Sequence, residues 1–140
     1  MRNVILHLNY LHVLVVTVAG FLLGWLWYGP LCGKVWMREM KFTKESMEEA
    51  MKKGMAGYFI KGFVFTLLST FGLAALIALL GAHNWKHGAA LGGFIGLLGP
   101  GVRVLNGACW ENKSVTLQAI NVGHEVALYA LQGAILGAWQ

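Results

Sequence analysis

The sequence contains no aspartate, and its six acidic residues are all glutamates. No arrangement of serine, histidine and acid can be argued from spacing, so nucleophilic hydrolysis has no starting point. Cysteine is equally scarce: Cys32 and Cys109 provide neither a disulfide framework nor a pair at metal-ligand spacing, and both read as small apolar fillers expected to stay reduced. Charge itself is short, at 12% of residues against 57% hydrophobic and a mean hydropathy of +0.60. A soluble domain of this length would carry about twice that charged fraction. Nor do glycines stand at a strand-to-helix turn, where they would cradle a phosphate. An enzyme is therefore the least supported class. The net charge of +5 does not point to nucleic acid, because the basic residues are not interleaved with stacking aromatics on a polar surface.

What the chain does have is long apolar runs. Crossing the hydrocarbon of a bilayer as a helix takes about 20 mostly apolar residues, and four segments qualify, at 4–28, 57–80, 88–109 and 117–139. The runs are continuous rather than alternating, which favours helices over a transmembrane barrel. Nothing sizeable remains for a soluble domain, so residues 1–140 read as one all-α integral membrane unit, a four-helix bundle. The opening residues Met1 to Asn3 lead into an apolar run too long for a signal peptide and are read as the start of an uncleaved span.

Orientation follows from Lys and Arg, which are retained on the cytoplasmic side. Lys34, Arg38, Lys41, Lys44, Lys52 and Lys53 fall in the first connection and Lys61 just inside the second span; Lys113 falls in the third connection, with Arg103 nearby. Against these stand Arg2 and Lys86. Both termini are thus expected outside, with the first loop in the cytoplasm. Trp25, Trp27, Tyr28, Trp36 and Trp110 are expected at the inner interface and Trp85 and Trp139 at the outer, where amphipathic rings prefer to lie. Gly29 and Pro30 should end the first span sharply, since proline breaks the hydrogen-bond ladder. The loop should hold a short surface helix: Ser46 with Glu49 has capping-box spacing, Glu48–Lys52 and Glu49–Lys53 are favourable pairs, and Gly54 is a natural stop. Its Met47, Ala50 and Met51 share a side that can rest on lipid, each nearby basic residue adding at most about 1 kcal/mol on anionic headgroups.

The run Gly24-Trp25-Leu26-Trp27-Tyr28-Gly29-Pro30-Leu31-Cys32-Gly33-Lys34-Val35-Trp36-Met37, together with the last span from Ala119 through Gly133, Ala134, Ile135, Leu136, Gly137, Ala138 and Trp139, resembles the bacterial membrane proteins grouped as DUF1761, a domain of unknown function. The likeness covers most of the chain. It implies a small multi-span membrane protein and brings no activity, substrate or catalytic residue. Where that family often has an aromatic in the middle of the last span, this chain has His124 and Glu125.

Three constellations are candidates for a function. Gly20 and Gly24, and Gly88, Gly92 and Gly96, recur every fourth residue and mark faces where helix backbones approach closely, within the chain or between subunits. Gln118, Asn121, Glu125 and Gln132 form a narrow stripe on the fourth span with His124 at its margin, and Arg103 and Asn106 lie at matching depth on the third. An Arg103–Glu125 contact is expected. Such a cluster is either a buried clamp, a proton or solute path, or a partner-binding face. Finally, His83 and His87 are spaced to face one way on a helix and His7 and His12 belong to the same outer side, so copper, zinc or haem has some basis, though no acid or thiolate completes the set. No other cofactor is implied; lipid contacts are. The leading expectation is a non-catalytic, self-associating or accessory membrane subunit, followed by a small transporter or channel protomer, then an outer-face metal binder.

Overall fold

The structure of the chain, a computed structural model, describes residues 8–139 apart from the side chains of Lys44 and Ala50. The described residues form helices and short connections only. In order these are α1 (Tyr10–Leu26), a π-helical turn (Trp27–Leu31), α2 (Gly33–Glu39), α3 (Lys44–Lys52), α4 (Ala56–Leu80), α5 (Trp85–Gly96), a second π turn (Leu97–Gly101), α6 (Val102–Glu111) and α7 (Val115–Ala138). Three stretches are long and apolar enough to cross a membrane: Tyr10–Leu31, Ala56–Leu80 and Trp85–Glu111. The fourth long helix, α7, has the length but carries the polar stripe.

Among the described residues the first span is helical from Tyr10. Leu8 and Asn9 lie outside the helix, because the Asn9 side chain accepts from the backbone N–H groups of Leu11 and His12 and so caps α1 at Tyr10. Residues 4–7 and Arg2 lie outside the described residues. The expected break at Pro30 is also corrected. The chain passes through the proline in a π turn, with the Cys32 N–H reaching back five residues to the Trp27 carbonyl, and resumes as α2. A wider turn accommodates a ring that would clash in an α-helix and has no N–H to offer. Pro100 does the same between α5 and α6.

The loop helix is α3, and its cap is one turn earlier than expected. Thr43 is the N-cap and exchanges hydrogen bonds with Ser46, so Ser46 is the third helical residue rather than the cap. Glu48–Lys52 and Glu49–Lys53 form no ion pairs. Gly54 follows at φ +83. Met47 and Met51 are exposed, as lipid contact requires, while Ala50's side chain lies outside the described residues.

The long helices alternate in direction. Phe21 of α1 meets Phe59 and Phe63 near the start of α4, whereas Tyr10 stacks on Phe71 further along. The Cα register of α5 against α7 runs Gly88 to Gly133, Gly92 to Tyr129 and Gly96 to Glu125. α7 is packed against α1, α4 and α5 together, and from residue 120 to residue 137 none of its residues is exposed. The apolar exposed surface belongs to the others, with Phe59, Ile60, Phe65 and Leu68 on α4 and Leu14, Val18 and Leu22 on α1 all open. Leu73, Ala74 and Ile77 of α4, Val13 and Val16 of α1 and Leu136 of α7 form the core.

Candidate functional site

Glycine decides how α7 is held. A Cβ built on Gly88 would stand 2.0 Å from the Gly133 carbonyl oxygen, one on Gly92 2.0 Å from that of Tyr129, and one on Gly96 2.7 Å from that of Glu125. Only bare backbone fits, so the two helices touch along their main chains and gain dispersion from many close atom pairs. Gly133 and Gly137 answer from α7, each equally crowded by backbone. On the other side Gly20 receives Gln132 and Leu128, and Gly24 faces the His124 ring. The predicted glycine faces are thus all used against α7 within one chain. Gly133 and Gly137 carry the same four-residue spacing, which would have revealed the partner face.

The seam ends where the proline turn begins. Past Leu97–Gly101 no backbone of α7 crowds a glycine of α6: a Cβ on Gly107 would meet only Glu111 of its own helix, at 4.0 Å. In this gap lies an open cavity of about 450 Å³, with Arg103, Asn106 and Glu111 from α6 and Gln118 and Asn121 from α7 among its walls. Arg103 and Asn106 are therefore brought to Gln118 and Asn121. The expected Arg103–Glu125 contact does not form. Glu125 lies opposite Gly96, and seven helical residues further on Arg103 is about 10 Å away along the axis. Lys113 pairs with Glu111, and the Gln118 amide donates to the Lys113 carbonyl.

Deeper along α7 the aromatics of the first π turn close over the stripe. Trp27 Nε1 donates to the Ile120 carbonyl at 3.1 Å, and the Tyr28 hydroxyl donates to Asn121 Oδ1 at 3.1 Å. The unwound turn aims the polar atoms of both rings at α7. Both rings also pack on the His124 imidazole, Tyr28 at 4.8 Å and Trp27 at 6.1 Å between centroids. His124 Nδ1 is 3.7 Å from Glu125 Oε1, near enough for an ion pair when the ring is protonated but too far for a hydrogen bond. Neither ring nitrogen has a hydrogen-bond partner, although the side chain is only 12% exposed.

Two turns beyond, Gln132 is fully buried, and its Nε2 donates to Thr70 Oγ1 at 2.8 Å while Oε1 has no partner. Thr70 in turn bonds back to the Thr66 carbonyl, as hydroxyls inside helices commonly do. Neither Tyr28 nor Thr70 stands out in sequence, since an interface tyrosine and a mid-span threonine are ordinary.

The histidines are not assembled. Asn84 caps α5 by accepting from the His87 N–H, so the connection before it is not helical, and His83 and His87 do not share a helix face. His12 packs on Trp139, with rings 4.6 Å apart, and His7 lies outside the described residues. No cluster of three His, Cys, Asp or Glu residues able to hold a metal occurs among the described residues.

At the same end as the cavity, Glu39 of α2 accepts from the hydroxyl of Ser114, the N-cap of α7, and from Arg38. The Ser114 hydrogen bond first, then Arg38, hold the Glu39 carboxyl below its ordinary value.

Residues 11–137 match the model of the family described as "Protein of unknown function (DUF1761)". The chain belongs to the DUF1761 family. Neither the curated proteins nor the solved structures compared with it hold a match. Membership covers α1 through α7 and agrees with the apolar helices, and it brings no activity with it.

Proposed function

We propose that this DUF1761 protein is a multi-pass integral membrane protein in which all four long helices cross the bilayer as a bundle, and that it acts as a small transport protomer with a proton-binding site at His124 and Glu125. The basic loop on the side of α2 and α3 supports placing that face in the cytoplasm and both termini outside. α7 is too polar to face lipid, but as the enclosed helix it need not do so.

One observation carries the functional reading: a nearly enclosed imidazole with both nitrogens free of hydrogen bonds, beside the one glutamate that lies far from any helix end. Buried polar groups normally have partners, and an unpartnered imidazole beside a carboxylate is a group that can take up a proton. On the proposed cytoplasmic side the open cavity reaches Asn121, which accepts from Tyr28, and the Tyr28 ring packs on His124. Leu128 and Gln132, seated on Gly20, close the other half, so passage requires that layer to move. A self-associating accessory role ranks behind it, because the glycine faces that motivate it are occupied within the chain.

The test is proton uptake into liposomes holding a trapped pH dye, driven by an inside-negative potassium diffusion potential. Vesicles with the protein should acidify faster than empty ones, and Glu125→Gln should remove at least about tenfold of that excess while purifying as a folded, monodisperse protein; a tenfold loss corresponds to about 1.4 kcal/mol. Uptake no faster than in empty vesicles, or undiminished by the substitution, refutes the reading.

A further inference from the structure

The cavity between α6 and α7 has an imbalance of hydrogen-bonding groups. Three of its acceptors are engaged: Glu111 pairs with Lys113, the Lys113 carbonyl accepts from Gln118, and Asn121 Oδ1 accepts from Tyr28. Three of its donor groups are not. Among the described residues the Arg103 guanidinium and the Asn106 amide have no partner, and the Asn121 Nδ2 is likewise left over once its oxygen is taken. With Lys113 neutralised by Glu111, the charge remaining among these residues is the single positive one on Arg103.

Such a site asks for an anion that accepts several hydrogen bonds at once. A guanidinium flanked by amide donors matches the oxygens of a phosphate, for which arginine offers two parallel donors. The location narrows the class further. Arg103 stands eight residues from the end of α6 and Asn121 six from the start of α7, so both lie about 10 Å below the helix ends, within reach of the headgroup layer once the arginine extends toward it. The opening is on the side of the basic loop, where anionic lipids gather under the attraction of Lys and Arg. The π turn at Pro100 makes the room by parting α6 from the glycine seam that binds α5.

We infer that the cavity between α6 and α7 binds an anionic phosphate group, the headgroup phosphate of a lipid or free phosphate, through Arg103, Asn106 and Asn121. The site does not require a proton at His124.

The experiment is a thermal-shift titration of the full chain in detergent with phosphatidylglycerol, with phosphatidylcholine, or with inorganic phosphate at matched ionic strength. The expected result is a preference of at least about tenfold for phosphatidylglycerol over phosphatidylcholine, the loss anticipated for one charge-assisted contact. Arg103→Gln should abolish it, whereas Lys53→Gln in the exposed loop should keep it. A response to inorganic phosphate that Arg103→Gln abolishes also supports the site and identifies free phosphate as its ligand. If Arg103→Gln does not fold, Asn106→Leu serves for the same comparison. Glu125→Gln must retain the preference, which separates this inference from proton binding. No response to either anion, or a preference that persists in Arg103→Gln, overturns it.

Discussion

Replacing Gly92 by alanine tests whether α5 and α7 are held backbone to backbone. The new methyl would stand 2.0 Å from the Tyr129 carbonyl oxygen and 2.8 Å from its carbon, where ordinary contact begins at 3.4 Å. Neither atom belongs to a flexible side chain, so the helices must part by about 1.4 Å at this point. A radial gap of about 1 Å already forfeits up to half of the dispersion well for each lining atom, and the adjoining Gly88 and Gly96 contacts are stretched with it. Overpacking costs typically 1–3 kcal/mol, and an unyielding backbone puts this case at about 3. The better helix propensity of alanine returns about 1 kcal/mol, for a net loss of about 2. Gly72→Ala is the control, since a Cβ there meets nothing within 4 Å; it should leave stability unchanged or raise it by up to about 1 kcal/mol. Unfolding of purified protein by graded sodium dodecyl sulfate, followed by circular dichroism and tryptophan fluorescence, measures both. A Gly92→Ala protein as stable as the parent, or a Gly72→Ala protein equally damaged, would show that the seam is not what joins these helices.

The buried Thr70–Gln132 contact should behave non-additively. Thr70→Val strands the Gln132 amide and should cost about 1–3 kcal/mol, whereas adding Gln132→Leu removes the stranded group and should recover part of it in the same unfolding assay. Glu39 contributes an acid-sensitive tie. Because its folded value lies below the ordinary 4.5, its stabilisation is present above pH 4.5 and fades as pH falls through the lower folded value. Trp36 fluorescence should report loosening of α2 over that acid window in the parent, and Glu39→Gln should lack the transition.

The helices were legible because hydropathy is summed over many residues: α4 begins one residue before the predicted 57 and ends at the predicted 80. The start of α1 at Tyr10 was not, because the cap at Asn9 is a single side chain within a longer apolar run. Proline misled for a related reason. Its rule describes an α-helix, and at Pro30 and Pro100 the chain adopts a wider turn instead of stopping. The polar stripe was visible as spacing, yet its partners were not: Arg103 and Glu125 are complementary in charge, and only the three-dimensional register of Gly96 on Glu125 separates them. Tyr28 and Trp27 were visible as aromatics, but the direction in which a ring points after an unwound turn is a matter of backbone geometry.

The two proline turns bear on one another. The first unwinds α1 where Trp27 and Tyr28 must reach α7, and the second unwinds the third span where α6 leaves it. Both lie toward the end of the molecule that carries the basic loop, and both act on the same stretch of α7, from Ile120 to Glu125. Towards the other end, glycine faces on α1 and α5 clasp α7 on opposite sides, and its polar side chains there are Tyr129 and Gln132. One end of α7 is thus sealed by glycine contacts, and the other borders the open cavity at Gln118 and Asn121. That asymmetry follows from where glycine and proline fall in the sequence: glycine removes side chains so that backbones meet, and proline interrupts the ladder so that they part. A purely structural clamp would gain nothing from an opening that ends at Asn121, one helical turn from its buried histidine, since water admitted there weakens every electrostatic contact it makes. An uptake site needs that opening, and needs it on one side only.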